Sequence, residues 1–165
     1  MIGMPGAGKS TAGVILAKVL GYQFMDSDLL IQREEDRLLA EIIGQDGVDK
    51  FLEIENRVNK SIEIDRAVIA TGGSVVYGSE AMEHLKKIGI VVYLKVPYEA
   101  LKNRLKNIAD RGVVLKDGQT LGSLYEERVC LYEKYADIII EEENENVEDT
   151  VKKLIKKLTE KKIKD

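Results

Sequence analysis

The chain is poor in the residues that build metal centres and cross-linked scaffolds. Its 165 residues include one cysteine, Cys130, and one histidine, His84. A lone cysteine excludes an internal disulfide and a multi-cysteine zinc site, and it suits a reducing compartment. His84 has no Cys or Asp at ligand spacing and lies in a mostly polar, helix-patterned stretch, so it reads as a surface residue. Only two prolines interrupt the chain, and no apolar run approaches the about 20 residues that span a bilayer. The start shows no charged region followed by a long apolar one, so no leader is expected. Cationic excess is missing as well. The 25 Lys and Arg against 29 Asp and Glu give a net charge of −4, which excludes a global field that gathers nucleic acid by counterion release. The one strongly basic stretch, residues 152–164, sets lysines among Val151, Leu154, Ile155 and Leu158, the spacing of a surface helix with a solvated lysine face. The expectation is a cytoplasmic monomer whose partner is a small molecule, with no nucleic acid and no membrane.

With 44% hydrophobic and 33% charged residues, the chain has the composition of one soluble domain over residues 1–165. Short β-branched or aromatic runs at 22–25, 67–70, 90–96 and 137–140 alternate with amphipathic segments. Helices are expected at 10–20, 29–35, 38–44, 48–64, 79–87, 98–106 and 121–135, with a last one from about 147. Near-continuous apolar strands suit a parallel sheet covered on both faces, so the fold class is α/β with three layers and right-handed crossovers. Two stretches break the alternation. Residues 29–66 hold helices without a strand, as in a helical flap, and the glycines and charges of 107–122 read as a lid loop.

The segment Gly3-Met4-Pro5-Gly6-Ala7-Gly8-Lys9-Ser10-Thr11 matches G-x-x-x-x-G-K-[ST] in full. Its backbone N–H groups, from Gly6 through Thr11, would turn toward phosphate oxygens at the positive end of the helix that follows. Lys9 would reach the β- and γ-phosphates, and the Ser10 hydroxyl would sit on Mg²⁺. Lys9, Ser10 and Thr11 stand where a dinucleotide fingerprint needs its last spacer residues and third glycine, so the site is one for a nucleoside triphosphate. Only Met1 and Ile2 precede Gly3. The first strand is therefore expected to be largely missing from this chain, unless residues before Met1 supply it.

Asp26-Ser27-Asp28 follows the run at 22–25 and places two carboxylates at the strand's carboxyl end, where open α/β sheets bind ligands. Asp26 is placed to hold Mg²⁺ and Asp28 to orient or deprotonate a substrate hydroxyl. A helix N-cap at Asp28 is the structural alternative, and it leaves Asp26 unexplained. Thr71-Gly72-Gly73-Ser74 ends the next strand. Its glycines let backbone amides approach a ligand, or serve only a tight turn.

The P-loop, Asp-Ser-Asp, Thr-Gly-Gly, an arginine in a glycine-containing loop and a late Glu-Arg-x-x-x-Tyr element occur in the order of the shikimate kinase family, which the chain resembles from Gly3 to Asp137. The resemblance implies a P-loop fold with a five-stranded parallel sheet of order 2-3-1-4-5, a substrate flap and a lid. It also implies ATP and Mg²⁺ as cofactors and phosphoryl transfer to the 3-hydroxyl of shikimate. The family's lid arginine falls on Arg111, which would clamp the transferring phosphoryl group, and its adenine-side arginine on Arg104. Arg128, in Glu127-Arg128-Val129-Cys130-Leu131-Tyr132, matches the arginine that binds the substrate carboxylate. No acid stands three or four residues from it to form an ion pair along the helix. Two positions depart from the pattern. The family's flap motif Phe-Arg-x-x-Glu is Phe51-Leu52-Glu53-Ile54-Glu55 here, and its third glycine is Ser74. The arginine replaced by Leu52 would contribute about 1.5 to 3 kcal/mol of charge-assisted contact. A kinase for another hydroxy acid or polyol, and an ATP-sensing module without catalysis, stand as the alternatives.

Overall fold

The computed structural model describes residues 1–105, 118–143 and 146–162. Among the described residues four strands form two parallel pairs. β1 (Gln23–Asp26) runs beside β2 (Ala67–Ala70) with Gln23 opposite Ala67, and β3 (Val92–Lys95) beside β4 (Ile138–Glu141) with Val92 opposite Ile138. The short segment Met1–Ile2 joins the pairs. The Met1 nitrogen donates to Ile69 O at 2.6 Å, and Thr71 N–H donates to Met1 O at 3.2 Å. On the other side Ile2 N–H donates to Val92 O at 2.8 Å, and Leu94 N–H to Ile2 O at 3.0 Å. The order across the molecule is therefore β1, β2, Met1–Ile2, β3, β4. This is the expected 2-3-1-4-5 arrangement when the N-terminal segment is counted first, although among the described residues that segment forms a single bridge, Ile2 to Tyr93, rather than a strand.

The helices fall close to the spacing read from the sequence. They are α1 (Lys9–Leu20), α2 (Ser27–Glu35), α3 (Leu39–Asp46), α4 (Val48–Lys60), α5 (Ser79–Ile88), α6 (Tyr98–Arg104), α7 (Leu121–Tyr135) and α8 (Val147–Lys162). Helix α4 stops short of the expected residue 64, because the chain turns at Ser61, whose N–H returns to the Arg57 and Val58 carbonyls. Helix α7 is capped by Thr120, whose hydroxyl accepts from Ser123 N–H. His84 is half-buried rather than on the surface, with Nε2 2.7 Å from Ile62 O.

Two hydrophobic clusters hold the molecule. The larger joins the strands to α1, α5, α7 and α8 through Leu16, Met82, Tyr93, Leu94, Tyr132 and Leu154. The Tyr93 and Tyr132 rings stack at 5.0 Å between centroids, which fixes α7 on β3. The smaller cluster is Ile31, Ile42, Phe51, Ile54 and Val58, contributed by α2, α3 and α4. The stretch expected as a flap thus contains a hydrophobic cluster separate from the one around the strands. Most of the lid expected at 107–122 lies outside the described residues.

Candidate active site

A cavity of about 280 Å³ opens between the P-loop, α2, α4 and the loop after β2. Its walls include Pro5, Lys9, Ser10, Asp28, Glu55 and Gly73. Gly8 stands before α1 at φ 90 and Gly6 turns at φ 76, backbone that side-chain-bearing residues rarely adopt. No side chain caps α1, and its first turn holds no acid, so its N–H donors and positive end face the cavity mouth. An anion is the ligand that such an end takes. Lys9 is 8% exposed, and its Nζ donates to Gly3 O at 2.8 Å and Met4 O at 3.0 Å. Burial lowers its pKa to about 8, while the neighbouring Asp28 pulls it upward.

The structure brings the P-loop and the acidic pair together. Ser10 Oγ donates to Asp26 Oδ2 at 2.9 Å, and Asp28 N–H donates to Asp26 Oδ1 at 3.0 Å. The capping role therefore belongs to Asp26 rather than Asp28, because Asp26 is the residue that stands in extended backbone before α2. That leaves the Asp28 side chain free for other work. Its Oδ1 is buried with no hydrogen-bond partner, and its pKa is pushed up to about 6, first by burial and then by Asp26, against the pull of Lys9.

Ser10 and Asp26 are hard oxygen donors within hydrogen-bond distance of each other beside the phosphate end, which fits Mg²⁺ held by one or two protein oxygens together with phosphates. Among the described residues no group of three or more His, Cys, Asp or Glu side chains could hold a metal without such help.

Gly72 and Gly73 line the same cavity. A Cβ at Gly73 would lie 2.6 Å from Pro5 Cδ, so glycine is what lets this loop close on the P-loop. Tyr132 Oη locks the turn by donating to Gly73 O at 2.6 Å. Arg128, expected at the pocket rim, is instead 1% exposed behind this loop, with its guanidinium over the Tyr77 ring at 5.3 Å. Its Nη1 would stand 3.0 Å from a Cβ at Gly73, so the bare glycine is the wall between arginine and cavity. Arg104 lies against the P-loop, donating to Gly6 O at 3.3 Å and facing Glu142 at 3.5 Å. Arg111 lies outside the described residues.

Sequence reasoning passed over Glu55 as a site residue. It is 1% exposed on α4, lines the cavity, and has its pKa pushed up to about 7 by burial, with the Ser74 hydroxyl acting the other way as a hydrogen-bond donor. The signal was available. Phe51, Ile54 and Val58 form the buried stripe of α4, and Glu55 falls on that stripe rather than on the solvated face.

The family model for shikimate kinase matches residues 5–159. A shikimate kinase of Clostridium botulinum (strain Loch Maree / Type A3) is 40% identical over 160 residues, covering 94% of this chain and 92% of the relative. One of Thermodesulfovibrio yellowstonii is 35% identical over 159 residues, covering 94% and 91%. Among solved structures, the shikimate kinase of Acinetobacter baumannii in complex with shikimate superposes with a TM-score of 0.87 at 32% identity, over 98% of this chain and 92% of that one. The Aquifex aeolicus enzyme gives 0.82 at 29% identity, over 98% and 96%. With the match extending from the P-loop through α8, the chain belongs to the shikimate kinase family and is an ATP phosphotransferase by that membership.

Proposed function

We propose that this chain transfers the γ-phosphate of ATP to the 3-hydroxyl of shikimate, with Mg²⁺, in the cytoplasm. The observation that carries the reading is the hydrogen-bonded run Ser10–Asp26–Asp28, which links the phosphate loop to a carboxyl-bearing residue that lines the same cavity. An ATP sensor needs the phosphate loop alone and has no use for Asp28 in that position.

In this reading the α1 N-terminus and Lys9 bind the β- and γ-phosphates, and Arg104 stacks on adenine. Ser10 and Asp26 hold Mg²⁺, which screens phosphate charge when bound. Asp28 accepts the proton of the acceptor hydroxyl. The acceptor oxygen forms its bond to the γ-phosphorus as the bond from that phosphorus to the β,γ-bridging oxygen breaks, and ADP leaves. Gly72 and Gly73 present backbone to the acceptor. Arg128 reaches its carboxylate past Gly73, where no Cβ intervenes. Arg111 is assigned to the phosphoryl clamp by the resemblance alone.

Leu52 and Ser74 favour one second reading, a different hydroxy acid or polyol as acceptor. Coupled ADP release over a panel of such compounds separates the two. Shikimate is expected to be turned over most efficiently. Negligible release at millimolar shikimate, with efficient turnover of another compound, would transfer the assignment to that acceptor.

A further inference from the structure

Arg128 is 1% exposed, and a guanidinium taken out of water needs acceptors and a fixed direction. Glu127, the acid nearest to it in sequence, is the adjacent residue on α7, and adjacent side chains diverge from a helix. A residue from another element joins them. Tyr77 ends the short 3₁₀ turn Val75–Tyr77 that follows the loop after β2. Its hydroxyl donates to Glu127 Oε1 at 2.6 Å and accepts from Arg128 Nε at 3.3 Å.

The directions of these bonds follow from what each group can do. A carboxylate only accepts, so the tyrosine proton is committed to Glu127 and a lone pair of the hydroxyl is what faces Arg128. Gln119 Nε2 donates to Glu127 Oε2 at 3.0 Å and holds that carboxylate from the residue before the α7 cap. Val75 and Val76, 1% and 2% exposed, anchor the turn, so the ring is carried by a buried segment. Arg128 Cζ lies over that ring at 5.3 Å from the centroid.

Hydroxyl and ring together constrain the stem end of the guanidinium. Nε is the nitrogen nearest the stem, whereas Nη1 lies on the side of Gly73, 3.0 Å from where a Cβ would stand. Tyr132, one turn along α7, fixes that wall by donating to Gly73 O. An arginine meets a carboxylate best through two parallel bonds, and that match is lost when the guanidinium plane turns.

We propose that Tyr77 is a positioning residue for carboxylate recognition, its hydroxyl and ring setting the plane in which Arg128 meets the acceptor's carboxylate past Gly73. The proposal rests on the reading of Arg128 as the group that binds that carboxylate, and it adds the residue on which the aim of Arg128 depends. Tyr77 is not among the residues lining the cavity, so its effect passes through Arg128.

The test pairs two ligands with two variants. Calorimetric affinities for shikimate and its carboxamide, which keeps the hydroxyls and lacks the charge, are measured with ADP present in the native protein, Tyr77→Phe and Tyr77→Leu. The native protein is expected to prefer the carboxylate by roughly 10- to 150-fold. Tyr77→Phe, which keeps the ring and loses the hydroxyl, should reduce that preference by about 3- to 10-fold, and Tyr77→Leu by more, with affinity for the carboxamide nearly unchanged. A merely structural role would weaken both ligands together and leave the preference intact. That outcome, or the full native preference in both variants, overturns the proposal. A native protein without any preference removes Arg128 from carboxylate recognition, and the proposal with it. Failure of the kinase reading has a different signature, preference for the carboxylate without ADP release from ATP.

Discussion

Asp28 is the residue on which binding and chemistry divide. Its neighbour Asp26 caps α2 and meets Ser10, while Asp28 itself lines the cavity and its Oδ1 is buried without a partner. Asp28→Asn is therefore expected to lower kcat by about 10² to 10⁴ while leaving the KM for ATP nearly unchanged, as steady-state kinetics will read. Equal damage to both would give Asp28 a metal-holding or structural role. The pH profile supplies an independent check. The pKa of Asp28 lies raised at about 6, so the carboxylate that accepts the proton is lost below that value and kcat/KM should rise with pH through it. In Asp28→Asn that limb should flatten. Much of this site was legible because Lys9, Ser10, Asp26, Asp28, Gly72 and Gly73 sit in contiguous motifs whose spacing carries the chemistry. Glu55 and the burial of Arg128 were harder to read. Glu55 turns inward because of the apolar stripe of α4, and Arg128 lies under Gly73 because Tyr132 ties α7 to that loop.

At the scale of elements, the four strands and the helices were visible in the alternation of apolar runs and amphipathic segments. The strand at 67–70 fell where expected, and the boundaries of the other three moved by one or two residues. The helix at 48–64 closed early at Lys60, because the turn at Ser61 depends on backbone bonds that periodicity does not record. The expectation of strands covered on both faces fails at β4, where Ile138 and Ile140 are buried while Ile139 is 39% exposed at the edge. The contact between the P-loop and the loop after β2 was likewise invisible to local patterns. Gly73→Ala would place a methyl group 2.6 Å from Pro5 Cδ and 3.0 Å from Arg128 Nη1. Such overpacking is expected to cost about 1 to 3 kcal/mol in urea unfolding and to weaken the acceptor more than ATP in kinetics. An unchanged unfolding midpoint would mean that the two loops are not held together as described.

At the scale of the molecule, two cores divide the work. The larger one fixes the strands and the phosphate loop, and the smaller one packs α2, α3 and α4 together, with Glu55 on the same helix as Phe51 and Ile54. Asp28 stands in the first turn of α2, two residues beyond the end of β1, so the residue proposed to handle the acceptor is placed by the strand that adjoins the phosphate loop. The account's central claim is that these two halves perform one transfer. Its most direct test is a single turnover with ATP labelled in the γ-phosphate, excess protein, Mg²⁺ and shikimate. The account predicts label on the 3-oxygen of shikimate in step with ADP, and no transfer by Lys9→Ala, which lacks the charge on the β- and γ-phosphates. Label released as inorganic phosphate or retained on ATP, or near-normal transfer by Lys9→Ala, would contradict it.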